Sequence, residues 1–585
     1  MKLAKLFLSI LDKKQKISSL FLLILIILSS FFETLSIAII FPLIKVVLGT
    51  NLDKEVEFFE NLHFFKDFKI PFLAETLNFE GTLVYLILLS VVSIFFLKAA
   101  VLTFSNWYQF RYIKLLDISW VSKLFSKYIK SDYDFHLRNN SAILLRNLNQ
   151  CSITANSLKT FIVLFSEIII LISIITLLTI INFQFSLILF STFLLVFAFL
   201  YLISKNKLKN LGSSKQIYDG LVLKNIQQGF GGIKDIKIKN VEDYFSDQLK
   251  KNKFFSNDAQ FGKEFIVSLP RIWVEVILIL GVIVFLFLNI SYLNSNLDLL
   301  AVLGTFMAGA FRILPSLNRI INASQTLRFN LPAVDNIFKE FSRLKEKNQN
   351  DLENENSSTN INFKKIISVN NLKFKYDNFQ GFSLSNLNLS VLKGDKVGIF
   401  GSSGSGKSTF IDILLGLLEP DFGTIEVDGV NIKEDLKGWR KNVAYVPQKV
   451  YLSDDTITNN IAFGQNPNKV NKKKIKEAIK ISELDKFIES LPNGAETTVG
   501  ERGVRISGGQ LQRIGIARAF YQEPKILILD ESTNALDIET EDKIMQCIFN
   551  QSKVETLIVI SHRKNTIKEC NKIFEMKNGL LIKNG

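Results

Sequence analysis

Six long apolar stretches in the first 335 residues constrain the fold of this 585-residue chain more than any other feature. Each is close to the roughly 20 residues that a helix needs to cross the hydrocarbon of a bilayer. A soluble domain would leave stretches of this length without an apolar partner. We therefore predict a membrane α-helical bundle of six spans within residues 1–335. The predicted spans are about 18–45, 82–104, 158–181, 184–204, 272–293 and 297–322.

The charges beside the predicted spans indicate the orientation of the chain. Lysines cluster near the N-terminus, and the segments 105–157 and 205–270 are also rich in Lys and Arg, whereas the segment 51–80 is acidic. Basic residues next to spans stay on the cytoplasmic side, so the N-terminus, both long segments and the C-terminal half are predicted to be cytoplasmic. The net charge of +15 then reflects topology and attraction to anionic lipid. We expect no nucleic-acid partner.

The apolar character ends abruptly after the last predicted span. Residues 345–360, with the sequence KEKNQNDLENENSSTN, contain almost no apolar side chain. A stretch of this composition cannot bury enough surface to fold alone, so we interpret residues 336–362 as a linker. From residue 363 to 585 short β-like runs alternate with amphipathic stretches and glycine turns, which is typical of an α/β domain.

A glycine-rich loop identifies the chemistry of the second domain. The sequence GSSGSGKST follows the strand-like run DKVGIF and precedes a helical stretch. Its glycines let backbone N–H groups turn towards phosphate, Lys407 reaches the β- and γ-phosphates, and Ser408 can ligate Mg²⁺. The pattern predicts an α/β P-loop nucleotide-binding domain. The loop consists of Gly401, Ser402, Ser403, Gly404, Ser405, Gly406, Lys407, Ser408 and Thr409.

Two consecutive acids end a second apolar strand, KILILD. Asp530 is placed at the carboxyl end of this strand, where it can hold Mg²⁺ through water. Glu531 follows directly and can polarise the attacking water as a general base or as an orienting group. An apolar run with two acids is weak evidence alone, but together with the phosphate loop it predicts nucleotide hydrolysis.

The stretch ISGGQLQR, residues 506–513, resembles the signature of ABC transporter nucleotide-binding domains, which is usually LSGGQ. The other motifs of that family follow in the expected order, including an X-loop-like TTVGERG at 497–503 and a D-loop-like NALD at 534–537. The resemblance implies ATP and Mg²⁺ as cofactors. It assigns Tyr376 to the adenine, Gln448 to the Mg²⁺-contacting Q-loop, His562 to the γ-phosphate, and Ser507, Gly508, Gly509 and Gln510 to the signature.

One nucleotide-binding domain after six spans resembles a half-transporter of the ABC exporter fold. In that family the signature of one subunit completes the ATP site of another, so the resemblance implies a homodimer. A heterodimer with a degenerate partner is an alternative. The segments 131–141 and 229–245 mix aromatic and charged residues, and we interpret them as the short helices that connect the membrane domain to the ATPase, with solvated loops as the alternative.

Ionisable residues inside the predicted spans are costly and usually have a function. Arg312 and Arg319 are seven residues apart, about 700° of helical rotation, so they lie on nearly the same face on either side of Pro315. No acid shares that face, and the pair is predicted to line a cavity that binds a diphosphate. An ion pair with Glu33 or Glu167 is the alternative. Arg271, with Glu275 one turn away, is a further candidate for the cargo or for an internal ion pair.

Four stretches resemble the PglK-type lipid-linked oligosaccharide flippases: PRIWVE (270–275), FRILPSLNRI (311–320), FFETLSIAIIFP (31–42) and the loop 53–68. The resemblance implies a multi-pass protein of the bacterial inner membrane that flips a polyprenyl-diphosphate-linked glycan to the periplasmic leaflet. It assigns the polyprenyl tail to a short outer helix with Phe59, Leu62 and Phe65 on one apolar face; packing on neighbouring spans is the alternative. Export of lipid A-like lipids or amphiphilic drugs is the alternative function, and an ATP-gated regulator is a remote third one.

Overall fold

The computed structural model describes residues 7, 11–39, 79–181, 183–289, 297–354, 361–376, 383–533, 536–550, 554–563 and 566–583. The chain divides into two compact units. The first, the helical unit, contains Met1–Ser131 and Arg138–Lys347. The second, the α/β unit, contains Asn348–Gly585 together with the short segment Asp132–Leu137 from between two helices of the first.

Long helices make up the described part of the first 354 residues. Four of them have 48 or more residues, and at 1.5 Å per residue each is about 70 Å or longer, against about 30 Å for the hydrocarbon layer. These helices therefore extend well beyond a bilayer. The helices are α1 Lys13–Ala38, α2 Phe79–Lys130, α3 Tyr133–Arg138, α4 Ser141–Ile181, α5 Phe183–Gly231, α6 Ile233–Lys239, α7 Glu242–Asn289 and α8 Leu297–Asn354.

Three helices in the described part of the chain are long and apolar enough to cross a membrane, namely Lys13–Ala38, Leu88–Lys130 and Ser141–Ile180. The predicted spans 184–204, 272–293 and 297–322 fall on α5, α7 and α8, where many side chains lie outside the described residues. Those three remain predictions. Large apolar side chains such as Phe96 and Ile180 are 74% and 80% exposed, which suits contact with lipid rather than water.

The last helix continues into the segment interpreted as a linker. Helix α8 ends at Asn354, so most of residues 336–362 are helical. The polar Lys, Glu and Gln residues of this segment are good helix formers even where they bury nothing, which a rule based on apolar content overlooks. Helix α8 thus continues along the chain from the predicted membrane domain into the first residues of the second unit.

Two sheets form the α/β unit. An antiparallel sheet has the strand order β2-β1-β4-β5, and a six-stranded sheet has the order β10-β9-β3-β8-β7-β6, in which all pairs except β10–β9 are parallel. The strands are β1 Ile366–Lys375, β2 Ser383–Leu392, β3 Lys396–Phe400, β4 Phe422–Val427, β5 Val430–Asn431, β6 Val443–Val446, β7 Ile526–Asp530, β8 Thr556–Ile560, β9 Lys572–Lys577 and β10 Leu580–Lys583.

Helices pack around the six-stranded sheet, and the buried side chains of Phe363, Phe410 and Trp439 anchor the core on one side of it. Because parallel strands bring their carboxyl ends to one edge, the loops after β3 and β7 lie together, which is where ligands bind in open α/β sheets. The helices of this unit are α9 Lys407–Leu414, α10 Leu436–Asn442, α11 Ile457–Ile461, α12 Lys472–Ile481, α13 Asp485–Glu489, α14 Gly508–Tyr521 and α15 Ile538–Phe549.

Candidate active site

The glycine-rich loop connects β3 to α9 and bends around an open space. Gly404 and Gly406 adopt positive φ angles of 79° and 110°, which only glycine tolerates without strain. A side chain at Gly401 would collide with the Met576 carbonyl oxygen at 2.2 Å. The loop thus requires glycine at these positions, and its backbone is shaped to surround a phosphate at the N-terminus of α9.

Lys407 lies at the first position of α9 with its side chain almost completely buried. Its Nζ donates hydrogen bonds to the carbonyl oxygens of Gly401 and Ser402 at 2.9 and 3.0 Å and is 4.0 Å from Oε1 of Glu531. Burial lowers the pKa of this ammonium group, while the charges of Glu531 and Asp530 oppose that shift. The cation is therefore held inside the loop, where the β- and γ-phosphates of a nucleotide are bound.

Two side chains contact the carboxylate of Glu531 closely. Gln448 donates from Nε2 to Glu531 Oε2 at 2.6 Å, and His562 Nε2 lies 2.6 Å from Oε1. The backbone of Glu531 has φ of 48°, a left-handed conformation that is rare for this residue type, and its N–H donates to Ile560 O. Strain of this kind is characteristic of functional sites, and here it turns the side chain towards the phosphate loop. Three residues assigned separately from sequence thus form one hydrogen-bonded group.

Asp530 ends β7 beside the phosphate loop and is buried. Burial raises the pKa of this carboxyl group, and a hydrogen bond from the hydroxyl of Tyr445 to Oδ2, at 3.1 Å, acts in the opposite direction. Burial and the charge of Asp530 also raise the pKa of Asp412, on α9, to about 6. Asp530 was predicted from the sequence but Tyr445 and Asp412 were not, because no motif marks an aromatic residue in a strand or an acid in a helix as its neighbour.

A cavity of about 370 Å³ lies between these groups. Tyr376 is at one side, within 3.4 Å of Thr409 through the two hydroxyl oxygens, and its ring packs edge-on against Phe374. An aromatic ring at the mouth of a phosphate loop is placed to stack on a base. The cavity is lined by Tyr376, Ser403, Gly404, Gly406, Lys407, Ser408, Thr409, Gln448, Glu531 and His562, all singled out from the sequence.

The signature residues occupy a different position. Ser507 caps the N-terminus of α14 through a reciprocal pair of bonds with Gln510, and Gly508 and Gly509 form the first turn. Among the described residues that line the cavity, none comes from α14. Of the D-loop-like segment 534–537, the first two residues lie outside the described part of the chain, and Asp537 caps α15.

The site fits a nucleotide with Mg²⁺. The backbone of Ser403, Gly404 and Gly406 lines the cavity at the N-terminus of α9, where N–H groups and the positive helix end suit phosphate oxygens. The oxygens of Ser408 and Asp530 and the amide of Gln448 are the hard ligands that Mg²⁺ prefers, directly or through water. No cluster of His, Cys, Asp and Glu suited to another metal occurs in the described residues.

The arginines of the predicted cargo cavity are paired in the helical unit. Arg312 Nη2 lies 2.5 Å from Glu33 Oε2 and 3.8 Å from Glu167 Oε2, and Arg319 Nη1 lies 2.6 Å from Glu167 Oε1. Ser316, between them on α8, also donates to Glu167 at 2.6 Å. The ion pair left open as the alternative is therefore what the structure contains. The acids come from α1 and α4, so no acid shares the arginines' own face of α8, and a role of Arg312 and Arg319 in binding cargo stays a prediction.

The remaining predicted cargo residues are separate from this cluster. Arg271 lies 3.7 Å from Glu275 one turn along α7, and both side chains are more than half exposed, so the internal ion pair is present. Phe59, Leu62 and Phe65 of the predicted outer helix lie outside the described residues.

The two segments interpreted as connecting helices are both short helices in the structure. Residues 132–137, most of α3, group with the α/β unit, and burial next to Asp412 raises the pKa of the Tyr133 hydroxyl. Helix α6 covers the centre of the segment 229–245, and Phe230, Ile238 and Tyr244 around it are 77%, 67% and 62% exposed.

The chain is similar to known proteins both in sequence and in fold. Residues 384–534 match the family model described as ABC transporter, so the α/β unit contains an ABC-type ATPase domain. A solved structure titled as a bacterial Atm1-family ABC exporter with ATP bound superposes with a TM-score of 0.75, at 21% identity, over 97% of this chain and 95% of that one. The chain therefore has the fold and domain order of that ABC exporter structure.

Two curated relatives indicate how far the similarity in sequence extends. A lipid A-core flippase of Paraburkholderia xenovorans is 29% identical over 386 residues, 65% of this chain and 63% of that protein. The multidrug resistance protein pgp-1 of Caenorhabditis elegans is 42% identical over 221 residues, 37% of this chain and 17% of that protein. The similarity thus spans less than two thirds of either relative. Their names favour the alternative of a lipid A-like or drug cargo over the polyprenyl-diphosphate glycan.

Replacing Lys407 by Ala is expected to weaken ATP binding by about 10- to 100-fold, because the site loses a charge-assisted contact to phosphate. Fluorescent ATP-analogue titration of the purified protein measures this loss. Lys433→Ala is the control, since it removes an exposed lysine whose partner is Glu419, and it should bind ATP as the wild type does. Equal affinities for wild type and Lys407→Ala would contradict the assignment of the phosphate loop.

Proposed function

We propose that this protein is an ATP-driven exporter that moves an amphipathic lipid with an anionic headgroup out of the cytoplasmic leaflet. It works as a homodimer in a bacterial inner membrane, with both termini in the cytoplasm. The observation that carries the proposal is the cavity around Lys407, Glu531 and His562, in a chain whose helical unit presents long, lipid-compatible helices.

Hydrolysis is assigned to the hydrogen-bonded group around Glu531. When bound, ATP would supply the phosphoryl group that is transferred to water, and Mg²⁺ held by Ser408 and Asp530 would neutralise part of its charge. Glu531 orients the attacking water and takes up its proton, while Gln448 and His562 hold the two carboxylate oxygens in place. Lys407 binds the phosphates, and Tyr376 stacks on the base.

The position of the signature supports a homodimer. The N-terminus of α14, with Ser507 to Gln510, is available to close the cavity of a second copy and supplies backbone N–H groups and a positive helix end. The exposed apolar side chains around α6 support a docking role for that helix. Both ATP sites of a homodimer would then carry the complete set of residues.

The charge balance of the arginine cluster supports an anionic cargo. Among the described residues, three cations, Lys98, Arg312 and Arg319, lie near two acids, Glu33 and Glu167, and Lys98 Nζ donates to Ser36 Oγ at 2.9 Å. The Arg319 side chain is 55% exposed although Glu167 is buried. An anionic headgroup can therefore compete for the free side of this guanidinium without breaking the cluster.

Two classes of lipid are candidates for the cargo. The relatives named above support a lipid A-like cargo, a diglucosamine carrying phosphates and acyl chains, and this is the cargo that we favour. A polyprenyl-diphosphate-linked glycan is the second candidate, because residues 270–275 and 311–320 resemble that group of flippases. Both cargoes join a phosphate-bearing headgroup to long apolar chains, as the cluster requires.

ATP hydrolysis by the purified protein in nanodiscs tests the cargo. We expect lipid A to stimulate hydrolysis, polyprenyl-diphosphate glycan to do so less, and phosphatidylcholine or a cationic amphiphilic drug to have no effect. Stimulation by the glycan alone would reverse the order of the two candidates. Stimulation by the drug alone would contradict the anionic headgroup.

The predicted outer helix gives a separate test of the lipid tail. Replacing Phe59, Leu62 and Phe65 together with Ser is expected to leave basal ATP hydrolysis unchanged and to reduce lipid transport, since the variant removes an apolar face that contacts acyl or prenyl chains. Lipid transport and hydrolysis are measured on the same preparation. Unchanged transport would mean that the helix has no role in binding the tail.

A further inference from the structure

Strand β6 and the loop after it direct two hydrogen-bond donors at the tip of β7. Tyr445 donates to Oδ2 of Asp530 at 3.1 Å, and Gln448, three residues later, donates to Oε2 of Glu531 at 2.6 Å. Each of the two consecutive acids thus receives a donor from the same short segment. The family motifs account for Gln448 alone and leave Tyr445 without a role.

The sheet register explains why this contact needs a tyrosine. Tyr445 pairs with Ile528 in the parallel β6–β7 ladder. Side chains alternate along a strand, so Ile528 and Asp530 share a face, and two residues of rise separate them by about 6.6 Å. The Tyr445 side chain, on the same face, is long enough to cover that distance and ends in a donor. Phenylalanine would cover it without donating.

The contact is also partly shielded from water, because its acceptor is buried while Tyr445 itself is partly buried. Tyr445 packs against the core of the α/β unit, and Asp530 is 4% exposed. In the described part of the chain, Tyr445 is the donor that the structure assigns to this carboxylate. A hydrogen bond to a buried charged group contributes more to stability than a hydrogen bond at the surface. Removing it leaves a carboxylate that can rotate.

We propose that Tyr445 is a positioning residue for the metal site: its hydroxyl fixes Oδ2 of Asp530 so that Oδ1 faces the metal-bound water. This inference rests on the ATPase activity and not on the identity of the cargo. Tyr445 does not touch the nucleotide cavity and acts through Asp530. Its effect is therefore on the affinity for metal-bound nucleotide and not on the affinity for nucleotide alone.

The test compares ATP binding with saturating Mg²⁺ and with EDTA in the Glu531→Gln background, in which hydrolysis does not interfere. Tyr445→Phe is expected to lower the ratio of the two affinities by about tenfold, the loss of one hydrogen bond to a charged group, and to leave the EDTA affinity unchanged. Tyr521→Phe is the matched control, because it removes a buried tyrosine hydroxyl that bonds Gln465 in the same unit. It should leave the ratio unchanged.

A double substitution separates positioning from general damage. With Asp530→Ala already present, Tyr445→Phe should have no further effect on the ratio, since the acceptor of its hydrogen bond is gone. An equal loss in EDTA, an unchanged ratio, or a further loss in the Asp530→Ala background would each overturn the inference. A protein that binds ATP in this way but moves no lipid would leave the inference standing and contradict the proposed function instead.

Discussion

Glu531→Gln is expected to slow ATP hydrolysis by about 10²- to 10⁴-fold while ATP still binds. The substitution keeps the size of the side chain and one acceptor oxygen, so one of the contacts from Gln448 and His562 can persist. It removes the negative charge that polarises water and takes up a proton. Lys407 and the phosphate loop are unchanged, and the variant should accumulate as an ATP-bound closed dimer.

Phosphate release and equilibrium ATP binding on the same preparation check this result. Glu419→Gln is the control, because that exposed acid pairs with Lys433 at the surface and its loss should leave both quantities unchanged. Turnover of the Glu531 variant near the wild-type rate would mean that another group activates the water. Loss of binding as well as turnover would mean that Glu531 is structural.

The second large effect is expected in the helical unit. Glu33→Gln leaves Arg312 without its nearest acid in a site where the glutamate side chain is 7% exposed and the arginine 18%. Removing one partner of a buried ion pair costs about 3–5 kcal/mol, because the other charge stays buried. Glu167 is 3.8 Å from Arg312 and replaces part of the lost interaction. We therefore expect the lower end, about 3 kcal/mol, seen as a clear drop in the melting temperature of the detergent-solubilised protein.

A compensating change identifies the cause of that drop. Glu33→Gln together with Arg312→Gln should recover much of the lost stability, since neither charge remains. Glu275→Gln breaks the exposed pair with Arg271 and should change stability by less than about 1 kcal/mol. An unchanged melting temperature for Glu33→Gln, or a double variant weaker than the single one, would show that the arginine does not depend on this acid.

The local chemistry of the ATP site was predictable from sequence, because its residues are adjacent in motifs. Residues of the phosphate loop, Glu531 at the end of β7 and the aromatic Tyr376 line one cavity, as their motifs predict. The strained backbone of Glu531 was not predictable, since φ depends on how β7 and β8 position the turn. Tyr445 was missed for a similar reason: its target is 85 residues away and is selected by the register of two strands.

In the membrane half, the positions of the helices were easier to predict from sequence than the contacts between their residues. Apolar length predicted where the helices lie, but a single sequence does not say which helices are neighbours. Glu33 and Glu167 were considered as partners of Arg312 and Arg319, and only the packing of α1 and α4 near α8 decides the question. The polar end of α8 was predicted to be a linker, and its helical conformation up to Asn354 was not predictable, because composition distinguishes burial better than it distinguishes helix from coil.

Lipid translocation in proteoliposomes tests the central claim most directly. A fluorescent lipid A derivative is placed in the membrane, and the fraction accessible to an impermeant quencher is followed after ATP is added to the face that carries the ATPase domains. We predict a shift of lipid between leaflets that needs ATP and Mg²⁺, is absent with Glu531→Gln and is reduced with Arg319→Ala at unchanged basal hydrolysis. If wild-type protein hydrolyses ATP while neither this lipid nor a polyprenyl-diphosphate glycan changes leaflet, the protein is not the lipid exporter proposed above.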